Sequence, residues 1–192
     1  MFRYTANAMD ETVSAHLSDF FNGKITPEAF EQWIGQTPEL KELVTEDDYF
    51  RLVSTDFKVA DARHSLEDLL RKYIDWAQYE KEKLSEVLMC IIWKDKPIDA
   101  LLDTYQRYTN GQRFLQTLGY KYGKLFTQAE APRSLRRKLT SDPAPLDHDA
   151  LFEKHYPELK AEATRLLGLL VADRIRFTGT YTVGGCAEYT ED

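Results

Sequence analysis

Cysteine is nearly absent from this sequence. Its two cysteines, Cys90 and Cys186, lie far apart, which argues against a disulfide-stapled scaffold and fits a reducing cytoplasm. Long apolar runs are missing too. No window approaches the ~18 consecutive apolar residues of a membrane span, and the N-terminus lacks the basic start, apolar stretch and small-residue site of a secretion signal. The common chemical signatures are also absent: no Gly-x-Ser-x-Gly, His-Glu-x-x-His or Cys-x-x-Cys. Gly123-Lys124-Leu125 has neither the following Ser/Thr nor the preceding glycine of a phosphate loop, and the spacing of Gly111 and Gly119 does not fit a dinucleotide fingerprint. No cofactor is implied, and the chain reads as a non-enzyme.

What is present is apolar and aromatic residue in quantity, 43% and 12% of 192, enough for a real core and against disorder. The net charge of −7 is unevenly spread. Residues 1–60 hold eleven Asp/Glu against five Lys/Arg, whereas 121–139 hold six Lys/Arg and one Glu. Such a chain repels DNA and anionic lipid over most of its surface and steers towards basic partners.

The apolar pattern is helical almost throughout. Val13, Leu17, Phe20 and Phe21 form one stripe over residues 10–22. Asn22-Gly23 then stops that helix, and Thr26-Pro27-Glu28 starts another as cap, first-turn proline and dipole-matched acid. Thr37-Pro38-Glu39 repeats the start signal and predicts a short helix over 39–44, followed by one over 46–54. From Ala60 to Trp93 a 3.6-residue stripe runs without Gly or Pro. Its polar middle, Gln78 to Lys83, is where a turn is expected. Helices are expected at 98–109, at 114–126 and from 149 to 173 with a break at Tyr156-Pro157. Residues 130–147 read as a surface loop with a short helix at 134–139. Residues 174–183 alternate with period two and Gly184-Gly185 follows, which predicts a strand or hairpin in a β tail over 174–192. The fold class expected is mainly α: a single-domain, multi-helix bundle with a small C-terminal β element. Its core should include Leu17, Phe20, Phe30, Trp33, Leu69, Ile74, Leu88, Ile91, Leu101, Phe114, Leu166 and Leu170.

Candidate sites are few. Glu39, Glu42, Glu46, Asp47 and Asp48, with Tyr49 and Phe50 beside them, combine carboxylates for steering with aromatics for anchoring, which is what a site for a basic protein uses. A solvated helix face is the plainer reading. His148 and His155 have Asp147, Asp149 and Glu153 nearby and offer the donors of a metal site, although the aspartates read equally well as helix caps. Asp61 and His64 make one imperfect half of a carboxylate-bundle metal motif. Arg133, Arg136, Arg137 and Lys138 form the one nucleic-acid-like patch, without the interleaved aromatics that single-strand binding uses. Cys90 sits among Met89, Ile91, Ile92 and Trp93 and reads as structural, and Cys186 as more exposed. Gly119 and Gly123, with Tyr120 and Tyr122, allow a tyrosine-lined cleft but fit close helix packing better.

The segment Phe20-Phe21-Asn22-Gly23-Lys24-Ile25-Thr26-Pro27-Glu28-Ala29-Phe30-Glu31-Gln32-Trp33 resembles the opening of bacterial colicin-like self-immunity proteins and polymorphic-toxin immunity proteins. In those an amphipathic helix ends in an Asn-Gly turn, and Ser/Thr-x-Glu-x-Phe leads the next. The likeness covers residues 1–60. Residues 97–192, with the basic loop and terminal strand, have no counterpart there. It implies a cytoplasmic helical inhibitor that neutralises a toxin, often a nuclease, by covering its active site. The expectation is therefore a binding protein for a basic partner such as a toxin. The alternatives are a metal-dependent protein using His148 and His155, a nucleic-acid accessory protein using 133–138, and a helical protein whose residues declare no chemistry.

Overall fold

The computed structural model describes residues 11–130 and 147–192. They form two compact units divided between Asp75 and Trp76, where the sequence pattern predicts a single domain. The stripe from Ala60 to Trp93 does break, but at Arg71–Asp75 instead of at Gln78–Lys83. The polar stretch stays helical because its side chains pair along the helix: Gln78 Nε2 donates to Glu82 Oε1 at 2.8 Å, and Lys83 meets Glu86 at 3.8 Å. At 71–75 the chain tightens into i→i−3 turns, Lys72 N to Leu69 O and Tyr73 N to Leu70 O.

The first unit holds α1 (Glu11–Phe21), α2 (Pro27–Gln36), α3 (Leu40–Leu43), α4 (Glu46–Ser54), α5 (Ala62–Ser65) and α6 (Glu67–Leu70). The stop and start read from sequence are both built. Lys24 N reaches back to Asp19 O across Gly23, whose φ is +72°. That is the six-to-one bond of a glycine-terminated helix. Thr26 Oγ1 accepts from Ala29 N at 3.2 Å to cap α2. The second start signal behaves differently. Thr37 donates its hydroxyl to Trp33 O at 2.8 Å and closes α2, so α3 begins only at Leu40 and has no side-chain cap.

Phe20 and Phe30 stack at 3.9 Å between centroids, with Phe57 edge-on to both. Around them Leu17, Leu40, Leu52, Leu66, Leu69 and Leu70 are fully buried. The Arg63 guanidinium lies 5.1 Å over the Phe20 ring and donates to Ile25 O at 3.1 Å. It therefore fastens the α1–α2 turn from the distant α5 segment. A Cβ at Gly23 would stand 3.2 Å from that guanidinium.

The second unit holds α7 (Trp76–Trp93), α8 (Pro97–Asn110), a 3-10 turn at Arg113–Leu115, a π-helical stretch at Gln116–Gly123, α9 (Lys124–Glu130), α10 (His148–Val171), β1 (Ile175–Tyr181) and β2 (Ala187–Glu191). Gly119 and Gly123 bring the π-helical stretch against α8. A Cβ at Gly119 would come within 2.5 Å of Thr104 O, and one at Gly123 within 2.7 Å of Leu101 O. Close packing is thus what these glycines serve. α10 runs through Pro157 without ending. Its Tyr156 hydroxyl instead donates to Ile92 O of α7 at 2.7 Å, tying the two helices where the break was expected. β1 and β2 pair antiparallel, Phe177 opposite Tyr189 and Tyr181 opposite Ala187, with an irregularity between. Ile175, Phe177 and Ala187 enter the core with Leu84, Leu88, Ile91, Leu101, Leu166 and Leu170.

The architecture is therefore mainly α with a C-terminal hairpin, as the sequence predicts. Of the expected core, Trp33 and Phe114 are only half-buried. Cys186, expected towards the surface, is buried. Among the described residues no helix is long and apolar enough to cross a membrane. The basic cluster Arg133, Arg136, Arg137 and Lys138 and the short helix expected at 134–139 lie outside the described residues, as does most of the predicted 130–147 loop.

Candidate functional site: the acidic face of α4

Thr45 founds α4. Its hydroxyl accepts from Asp48 N at 3.2 Å, so Glu46, Asp47 and Asp48 occupy the first turn, where the helix dipole favours carboxylates. In a capping box the acid at the third position reaches back to the backbone N–H of the cap. Here Tyr73 takes that place. Its hydroxyl accepts from Thr45 N at 3.0 Å and donates to Asp48 Oδ2 at 2.7 Å. Lys72 Nζ adds bonds to both Asp48 oxygens at 3.1 and 3.2 Å. Asp48, 4% exposed, is thereby removed from the docking surface that the sequence assigns it to. It joins α4 to the turn after α6. Burial pushes its carboxyl up, but the hydrogen bonds from Tyr73, Lys72 and Thr45 outweigh that and hold it below the ordinary aspartate range. Burial first, and Asp48 second, push the Tyr73 hydroxyl up.

Helical spacing divides the rest of α4. Asp48 and Leu52 face inward and Tyr49 is half-buried. Glu46, Asp47, Phe50 and Val53 face outward, with Glu46, Phe50 and Val53 on one stripe at i, i+4 and i+7. Phe50 is 68% exposed and Val53 49%. Glu39 and Glu42 are exposed at α3, which packs beside α4. Sequence reasoning found Phe50 and its acids but missed Val53. The signal was there: an apolar residue three positions after Phe50, off the stripe that carries Leu52.

Among the described residues the other candidates are not assembled. His148 and His155 sit on the same helix, about 10 Å apart along its axis, and their rings pack on different partners. His148 lies edge-on to Phe126, and His155 packs at 5.5 Å from Tyr122. Asp147 is a cap, accepting from Asp149 N and Ala150 N, and Glu153 pairs with Lys94 at 2.7 Å. Among the described residues no group of three or more His, Cys, Asp or Glu is placed to hold a metal. His64 bonds Glu67, at 3.1 Å, on an α5 of a single turn. Burial pushes the thiols of both Cys90 and Cys186 up, which leaves them protonated and poor nucleophiles.

Comparison of the chain with protein-family models, with curated proteins and with solved structures finds no match.

Proposed function

We propose that this protein is a non-catalytic binding protein of the immunity type, which docks the outward face of α4 on a basic protein partner, such as a toxin, and occludes it. The observation that carries this reading is Phe50. A phenylalanine two-thirds exposed on a regular helix, with Val53 beside it and Glu46 and Asp47 one turn earlier, leaves apolar surface in water with no internal use. An interface supplies the use: the aromatic anchors in a pocket, the carboxylates form a rim and speed encounter with a positive surface. Charge points the same way. Between positions 39 and 48 five carboxylates stand against one lysine, and four remain at the surface once Asp48 is buried.

A second exposed apolar pair exists on α7, Met89 and Trp93. Its neighbours Lys94, Asp95 and Lys96 have mixed sign, so it lacks the charge complementarity that selects a partner. The test is capture of partners from the source cells by the full chain, by Phe50→Ala and by Glu46→Lys/Asp47→Lys. Phe50→Ala is at an exposed position and should change stability by less than about 0.5 kcal/mol; the charge reversal sets two lysines against the dipole of the first turn and should cost about 1–2 kcal/mol, so circular dichroism of both variants accompanies the capture. Loss of an interfacial aromatic anchor costs about 2 kcal/mol or more, roughly thirtyfold in affinity. A basic protein held by the wild type and lost by both variants supports the reading; the same protein held equally by all three overturns it.

A further inference from the structure

The net charge of −7 is not shared between the two units. Residues 1–75 hold eight Lys/Arg against fifteen Asp/Glu, whereas 76–192 hold seventeen of each. The second unit is neutral as a whole, and it concentrates its cations. From Thr104 to Ala129 the chain carries Arg107, Arg113, Lys121 and Lys124 and no Asp or Glu. Folding uses two of these four. Arg107 donates to Asp103 at 2.8 Å and to Glu80 at 3.1 Å, and Lys121 stands 3.5 Å from Glu158. Arg113 and Lys124 pair with no carboxylate among the described residues and lie over tyrosine rings instead.

The tyrosines beneath those cations are themselves in contact. Arg113 Cζ lies 5.0 Å from the centroid of Tyr108, and Lys124 Nζ 4.9 Å from that of Tyr120. The two rings are 5.6 Å apart and tilted by 41°, so the four side chains form one continuous surface in the order Arg113, Tyr108, Tyr120, Lys124. Tyr120 is 48% exposed and Arg113 is exposed, with Tyr108 and Lys124 half-buried beside them. Close backbone approach builds this surface. A Cβ at Gly119 would stand 2.7 Å from the Tyr108 Cβ, so glycine is what lets the π-helical stretch come near enough to α8 to set Tyr120 beside Tyr108. Such π-helical turns are rare and are frequent at functional sites.

We infer that this surface binds single-stranded nucleic acid, with neighbouring bases stacked on Tyr108 and Tyr120 and their phosphates on Arg113 and Lys124. Aromatic rings interleaved with cations are what sequence-tolerant single-strand binding uses. The rings supply stacking, and the two cations, free of acids within the chain, supply counter-charge to phosphate. An acidic polypeptide would engage the cations and leave the rings unused, and a duplex keeps its bases out of reach of stacking. The surface is independent of the α4 face and opposite to it in charge, so either can fail without the other.

The experiment titrates the full chain into fluorescein-labelled oligouridylate and oligothymidylate of about twelve nucleotides and follows anisotropy at several salt concentrations. A duplex of the same length and an oligoglutamate are the controls. The expected result is saturable binding of at least one single strand, about tenfold tighter than either control. Its affinity should fall with salt at a log–log slope of about 1.4, for two phosphate contacts. Tyr120→Leu should weaken binding about tenfold and leave that slope unchanged. Lys124→Gln should lower the slope by about 0.7. A purely structural role for these residues would not separate affinity from slope in this way, and circular dichroism checks that both variants fold. No saturable binding of either single strand overturns the inference, as does comparable binding of the duplex or the oligoglutamate. Affinity unchanged by Tyr120→Leu, as contact through the basic residues 133–138 alone would give, overturns it too.

Discussion

At the scale of single residues, Asp48 stands apart from the acidic cluster it belongs to in sequence. In sequence it is indistinguishable from Asp47. One helical position turns it inward, to Lys72 and Tyr73. Asp48→Ala removes the acceptor for the Tyr73 hydroxyl and should destabilise the first unit by about 2 kcal/mol. Lys72→Ala should cost less than about 1 kcal/mol, because Lys72 is half-exposed and its attraction is screened. Denaturant unfolding monitored by circular dichroism checks both. The acid dependence has a definite sign. The folded carboxyl of Asp48 lies below its unfolded value of about 3.9. Its contribution is therefore present in full above that value and is lost as pH falls through the lower folded value. The stability gap between wild type and Asp48→Asn should narrow as pH drops below about 4, and a gap independent of pH would show that the carboxylate is not held ionised.

At the scale of elements, glycines report where backbone approach matters. Gly119→Ala would drive a methyl group into the Thr104 carbonyl and the Tyr108 Cβ and should cost about 3 kcal/mol. Gly168, inside α10, has nothing within 4 Å of an added Cβ, so Gly168→Ala should stabilise by about 0.5–1 kcal/mol. Opposite signs in thermal melts of the two variants are the expected outcome. The same elements explain what the sequence could and could not tell. The Asn22-Gly23 stop and the Thr26-Pro27-Glu28 start were legible because each is a local hydrogen-bonding device complete within a few residues. The split after Asp75 was not, since it depends on Tyr73 and Lys72 being drawn to an acid some 25 positions earlier. The polar Gln78–Lys83 segment looked like a turn because its pairs along the helix leave no apolar signal. Thr37 looked like a helix start because donor and acceptor roles of a threonine hydroxyl are not written in its identity.

At the scale of the whole molecule, the two units differ in how much of each is written in the sequence. The first carries an exposed acidic and aromatic helix face; in the second, Arg107 joins Asp103 of its own helix to Glu80 of α7. The α4 face was largely readable in advance, since outward position on a helix follows from spacing. The Glu80–Arg107 pair was not, because it is joined only by folding, and only the Asp103–Arg107 pair at i, i+4 was visible in the chain. Nothing in either unit gathers the donors of a metal site or an activated nucleophile among the described residues, and the histidines that offered one are packed against aromatic rings.

The central claim is that α4 meets a basic partner through Phe50. The most direct measurement places a photoreactive phenylalanine analogue at position 50 of the full chain, and in a parallel sample at the still more exposed Trp93, and irradiates both in the source cells. The account predicts one dominant crosslinked protein of basic isoelectric point from position 50 and none of it from position 93. No specific adduct at position 50, or the same adduct from both positions, would contradict it.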